Sequence, residues 1–233
     1  MKVTTEGMRV IDQLLDIVAA KGFEQDTYME MAIRDIGMIP RLEGTSHVNM
    51  ALVIKFMTNY FFHDEDYPEV PVMDGPHDDV NLFNQTTGKL KEIRFPDFLK
   101  AYDGYELSNV TLFKEQVCSL RDFLMNAPPD ENQLKNRNWT LHLGELFTMT
   151  VYGQLVLESA RLHQFDDRVT DQLFRYFVQD FSEYALRHLS KFRNGKKQQE
   201  YLGHMIRQPA IDESREEWIW TEQVLPLKDN YTP

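Results

Sequence analysis

Cysteine is almost absent: Cys118 is the only one in 233 residues. No internal disulfide can form, so scaffolds built on cysteine frameworks are excluded and a reducing, cytoplasmic location is the expectation. Positive charge is also scarce. Lysine and arginine number 25 against 37 aspartates and glutamates, for a formal net charge of −12. A nucleic-acid partner or an anionic membrane surface calls for a basic stripe, and neither is expected here. A local basic pocket for an anionic cofactor stays open. Long apolar runs are missing too. The most apolar windows, Met50–Phe62 and Leu143–Leu157, are interrupted by Lys55, Asn59, Glu145 and Gln154. Neither reaches the ~18–20 apolar residues of a membrane span. The start, Met1 to Glu6, has no apolar core of the signal-peptide kind.

Strand-type alternation is absent as well, and three- and four-residue periodicity takes its place. Thr4 or Thr5 is placed to cap a first helix carrying Met8, Ile11, Leu14, Leu15 and Val18, which Lys21 and Gly22 end. Asp26 is placed to cap a short second helix with Met29, Ala32 and Ile33, broken by Gly37 and Pro40. Thr45 or Ser46 opens a third, with Val48, Leu52, Phe56 and Tyr60 as its expected buried stripe, running out near His63. From there to about Val110 the periodicity fades among Pro68, Pro71, Gly75, Pro76, Gly88 and Pro96, with room for a short helix near Pro96–Tyr102. Further helices are predicted over Leu112–Met125, over Leu134–Leu162, from Asp166 or Asp167 to near Gly195, and over Lys196–Ile206. Trp218 and Trp220 are expected to dock on the bundle. The predicted fold is all-α: a helical segment at 1–62, an irregular connector at 63–110 and a helical extension at 111–233.

The chemically promising residues lie between Asp16 and Asn49. Glu43 sits on a turn just ahead of the helix opened by Thr45, and Gly44 leaves room for a flat or bulky ligand beside its carboxylate. Free N–H groups at a helix start favour a carbonyl or anionic group nearby. Arg41 and the helix dipole favour the ionised carboxylate, while burial opposes it. That is a reasonable place for a general base. A glutamate before a helix is also an ordinary favourable surface charge, so the three residues alone carry little.

The wider spacing carries more. Asp16-Ile17-Val18-Ala19-Ala20-Lys21-Gly22-Phe23, then Arg34-Asp35, then Glu43-Gly44-Thr45 resembles the C-terminal helical domain of the acyl-CoA dehydrogenases, without a gap from about Val3 to Phe56. The resemblance implies an FAD-dependent α,β-dehydrogenation of an acyl-CoA or other acyl thioester. Glu43 would be the base for the α-proton, and Gly44 would lie against the substrate. Thr45 and His47 match positions that touch FAD, and Asp16, Ala19, Ala20 and Gly22 match the turn that reaches the FAD of a neighbouring subunit. The family commonly has Gln at the positions of Asp16 and His47 and a Gly-Gly pair at Ala19-Ala20. Alanine methyls hinder close backbone approach and positive φ, and a carboxylate beside a pyrophosphate repels it.

The family's N-terminal helical and central β domains have no counterpart in these residues. The resemblance therefore implies a fragment, one half of a split enzyme or a repurposed module, inactive alone. The missing domains would come from a separate chain, or the apolar faces would drive a homo-oligomer. A non-catalytic helical interaction module is the alternative from another class.

Elsewhere, His63-Asp64-Glu65-Asp66 and His77-Asp78-Asp79 read as solvated acidic loop, and no metal site is expected. His188 and His204 read as ordinary helix-end or surface histidines. Cys118 reads as an inert core thiol, and Phe174, Tyr176, Phe177, Phe181 and Tyr184 as core. Lys196 and Lys197 form a basic spot too small for nucleic acid.

Overall fold

A computed structural model describes residues 2–42, 45–66, 93–191 and 193–228. Among these the regular structure is helical, with a single isolated bridge between Asp64 and Phe95 and no strand. The all-α expectation holds.

The chain begins with α1 (Lys2–Val18), a 3-10 turn (Ala19–Phe23), α2 (Tyr28–Met38), α3 (Ser46–Val53) and α4 (Met57–Phe62). The first helix starts ahead of both threonines, and Thr5 Oγ1 donates back to the Lys2 carbonyl instead of capping. Thr27, not Asp26, stands at the N-cap of α2. A 3-10 turn at Ile54–Phe56 separates α3 from α4. It overwinds the backbone and breaks the phase of the expected stripe. Val48 and Leu52 are 62% and 44% exposed, whereas Met50, Met57, Tyr60 and Phe61 turn inward.

The connector contributes a 3-10 turn at Phe98–Tyr102, capped by Asp97 and packed on the later helices through Phe98, Ala101 and Tyr102. The expected short helix is there. Residues 67–92, which hold His77-Asp78-Asp79, lie outside the described residues.

The core is built by α5 (Ser108–Asn126), α7 (Arg137–Leu162), α8 (Asp167–Leu189) and α9 (Lys196–His204), with the short α6 (Glu131–Lys135) between α5 and α7. Val110, Phe113, Val117, Leu120 and Phe123 form the fully buried stripe of α5, and Phe174, Val178, Phe181 and Ala185 answer them from α8 at the same helical spacing. The small-residue stretch of α7 does what its composition implies. A methyl on Gly153 would fall on the Phe113 ring, so that ring of α5 seats against α7 only because Gly153 has no side chain. The rings of Phe113, Phe174, Phe177 and Phe181 then pack within 6.0 Å, mostly edge to face.

Caps set the boundaries. Asp130 and Gln133 form a reciprocal capping box on α6. Asn136 ends α6 and accepts from Trp139 N at 3.1 Å, so the single helix expected over Leu134–Leu162 is divided at that asparagine. Asp166 caps α8. That helix stops at Leu189 rather than near Gly195, because Asn194 Nδ2 returns to bond the His188 carbonyl.

A last helix, α10 (Glu213–Ile219), is clamped by charge. Arg215 and Asp171 are both almost fully buried and form an ion pair. Asp171 also accepts from Asn109 N at 2.8 Å, and Arg215 also donates to Gln172 and to the Ala210 carbonyl. Trp218 docks under the Arg168 guanidinium at 3.5 Å, whereas Trp220 is 57% exposed and does not dock as expected. No helix of the described residues is long and apolar enough to cross a membrane.

Candidate functional site

Chain geometry at the 16–22 turn follows from how α1 ends. Ala19 takes φ +56°, the left-handed conformation that glycine favours after a helix. This is the position where the resemblance leads one to expect glycine, and the backbone adopts the glycine shape with an alanine in place. Gly22 is buried, and a methyl there would come within 2.7 Å of Leu15 Cδ2, so the chain folds tightly back on α1. Asp16, Ala19, Ala20 and Lys21 are exposed on this turn.

The second motif lies on α2. Arg34 donates to Glu30 Oε1 at 3.0 Å and pairs more loosely with Asp35, all toward solvent. Arg41 donates to the Gly37 carbonyl and so closes the end of α2 and its following turn. Glu43 and Gly44 lie outside the described residues.

Thr45 opens α3 with its backbone. Its carbonyl accepts from Val48 N at 2.9 Å and Asn49 N at 3.1 Å, and its side chain makes no capping bond. Thr45 and His47 are exposed. The cavity at His47 is lined from α3 and α7, by Ser46, Met50, Leu141, His142 and Glu145, and has a volume of about 180 Å³. The 16–22 turn does not contribute to it.

Thr45 and His47 stand at the start of α3, where free N–H groups favour an anionic or carbonyl group. The 16–22 turn keeps the backbone shape for close approach, but it presents two methyls and a carboxylate, with Lys21 as the compensating cation.

No protein-family model, curated protein or solved structure matches the chain.

Three further features were not legible in the sequence. Lys2 has its side chain almost buried between helices, with Nζ 2.6 Å from Glu6, 2.9 Å from the Tyr184 hydroxyl and 3.4 Å from Asp180. Burial pulls its ammonium down, and the bonds to Glu6 and Tyr184 outweigh that and raise it. Arg9 adds a contact to Asp180 at 3.3 Å, and the cluster borders a cavity of about 280 Å³. Asp180 and Tyr184 lie 178 and 182 residues from Lys2, so no local pattern announces them.

His188 is the second. It is no surface histidine: it is completely buried beside Trp139, at 4.6 Å between ring centroids, and neither ring nitrogen has a hydrogen-bond partner. Burial, with His142 and Lys191 adding to it, pushes it down to about 3. Third, Cys118 is half-buried rather than core, and burial raises its thiol, which disfavours a nucleophilic thiolate. Among the described residues no group of three or more His, Cys, Asp or Glu is placed to hold a metal ion. Asp66 instead pairs with Lys100 at 2.6 Å.

Proposed function

We propose that the chain is the base-bearing segment of a flavin-dependent acyl-thioester dehydrogenase, working with protein that supplies the remaining walls of the site. The observation that carries the reading is the ungapped order of the Asp16–Phe23 turn, Arg34-Asp35 and Glu43-Gly44-Thr45. The left-handed backbone at Ala19 supports it, since the chain holds that shape without the residue that favours it.

In this reading the Glu43 carboxylate takes the proton from the carbon next to the thioester carbonyl. That C–H is far too weak an acid for a carboxylate unless charge building on the thioester oxygen is stabilised. The Glu43 backbone N–H is the candidate donor to that oxygen, and Gly44 keeps the approach open. Bound FAD would accept the hydride that leaves the neighbouring carbon. Thr45 and His47 would hold the cofactor from one side, with the Asp16–Gly22 turn reaching a second one.

The test is to purify the chain together with the product of the reading frame upstream of it and to titrate the complex anaerobically with acyl-CoAs of graded length. Bleaching of the visible flavin band is expected, and Glu43→Gln should retain the colour and lose the bleaching. A colourless complex, or bleaching that Glu43→Gln leaves intact, refutes the proposal.

A second reading, a non-catalytic helical interaction module, is favoured by a specific observation. Neither α1 nor α2 has a buried residue, and Ile17 and Phe23 are 79% and 68% exposed. Tight binding of FAD by the isolated chain would eliminate it.

A further inference from the structure

An apolar groove of about 670 Å³ lies between α3 with its following turn and the start of α7. Its volume falls within the range of small-molecule sites, roughly 300–1,000 Å³. Val48, Leu52 and Leu141 supply apolar wall. His47, Lys55 and Arg137 stand on the same lining, and among the described residues no acidic one does. In a chain with 37 acidic and 25 basic residues, that exclusion of carboxylates is a local reversal of charge. Among the described residues Lys55 and Arg137 form no ion pair, unlike Arg34, Arg168, Arg175 and Arg215. His47 and Lys55 are eight positions apart, or about 12 Å at helical rise, so the apolar wall runs from an imidazole at one end to the Lys55 ammonium at the other.

We propose that this groove binds a free single-chain amphipathic anion, with its alkyl chain along Val48, Leu52 and Leu141 and its anionic head on Lys55 and Arg137. Apolar burial supplies affinity, and the unpaired cations select the sign of the head group. The site rests on its own lining and does not depend on Glu43 acting as a base.

The test uses the full chain and three probes of equal chain length: decanoate, decanol and decyltrimethylammonium. Calorimetric titration below the micellar range should give saturable one-to-one binding of decanoate. Decanol should bind more weakly, and the cation should give no signal. Lys55→Gln with Arg137→Gln should weaken decanoate roughly tenfold, the scale of one charge-assisted hydrogen bond. Ala51→Trp, which fills the groove from an exposed position, should abolish binding while leaving the circular dichroism of the helices unchanged. Equal binding of all three probes would overturn the proposal, and so would decanoate binding unaffected by Ala51→Trp. A wild-type dimer that Ala51→Trp converts to monomer, with no decanoate binding, would assign the groove to a second copy of the chain and would equally overturn it.

Discussion

Replacing His188 by leucine should flatten the acid sensitivity of the fold. The ring is completely inaccessible, lies against Trp139 and Phe123, and leaves both nitrogens without a partner. In the unfolded chain an imidazole titrates near 6.5, and in the fold burial pushes it down to about 3. Between those values the unfolded state binds the extra proton, so stability rises with pH. The contribution is fully present above the unfolded value and is lost progressively as pH falls toward 3. Between pH 7.5 and 4.5 the linkage integral amounts to roughly 3 kcal/mol, a sizeable part of the ~5–15 kcal/mol that holds a domain together. Urea midpoints at those two pH values, for wild type and His188→Leu, isolate the effect because the carboxylate background is common to both. The wild type should lose roughly 3 kcal/mol more than the variant. At pH 7.5 the variant should be no less stable, since it removes two orphaned polar atoms while keeping an apolar side chain in the site. Parallel losses in the two proteins would refute the assignment of His188 as a neutral, unpaired core residue.

Two other substitutions probe features the fold depends on. Ala19→Gly relieves a left-handed alanine and should raise stability by about 0.5–1 kcal/mol, net of the extra freedom glycine gives the unfolded chain; a lower thermal midpoint would count against the +56° backbone. Arg215→Met leaves the Asp171 carboxylate buried without its cation and should cost roughly 3–5 kcal/mol. Hydrogen exchange should then accelerate first in α10, and adding Asp171→Asn should recover part of the loss.

The fold class was legible because burial in this chain follows helical periodicity. The stripes on α5 and α8 follow helical spacing, although Tyr176, expected in the core, falls off the α8 stripe and is 51% exposed, and Gly153 is small because an aromatic ring sits on it. Where the reading failed, a local event changed the phase or the boundary. The 3-10 turn at Ile54–Phe56 carries Val48 and Leu52 out to solvent and brings Met50 and Met57 in. Asn136 splits a helix whose apolar pattern continues across it. His188 could not be placed from sequence, since its burial is made by Trp139 and Phe123 from two other helices. At the candidate site, the helix start at Thr45 was readable from the residue type, although its side chain makes no capping bond. The left-handed Ala19 was not, because alanine is the residue that argues against that conformation.

The residues that the resemblance singles out and the packed core occupy different parts of the described structure. The continuous core draws on α4, the Phe98–Tyr102 turn and helices α5, α7, α8 and α9, whereas α1 and α2 bury none of their residues. Of the described residues that the resemblance links to FAD, all but Gly22 are exposed. A carboxylate can abstract a proton from carbon only where water is excluded and the developing charge is held by fixed dipoles. An open helix start and a solvent-facing turn offer neither. The dehydrogenase proposal therefore demands an enclosing surface from further protein, and the interaction-module reading demands a cover for the same apolar residues of α1 and α2. Both readings require a partner, so finding one does not separate them. What separates them is whether covering Ile17, Phe23 and their neighbours also creates a flavin site. That requirement makes cofactor retention in the complex, rather than complex formation itself, the decisive property.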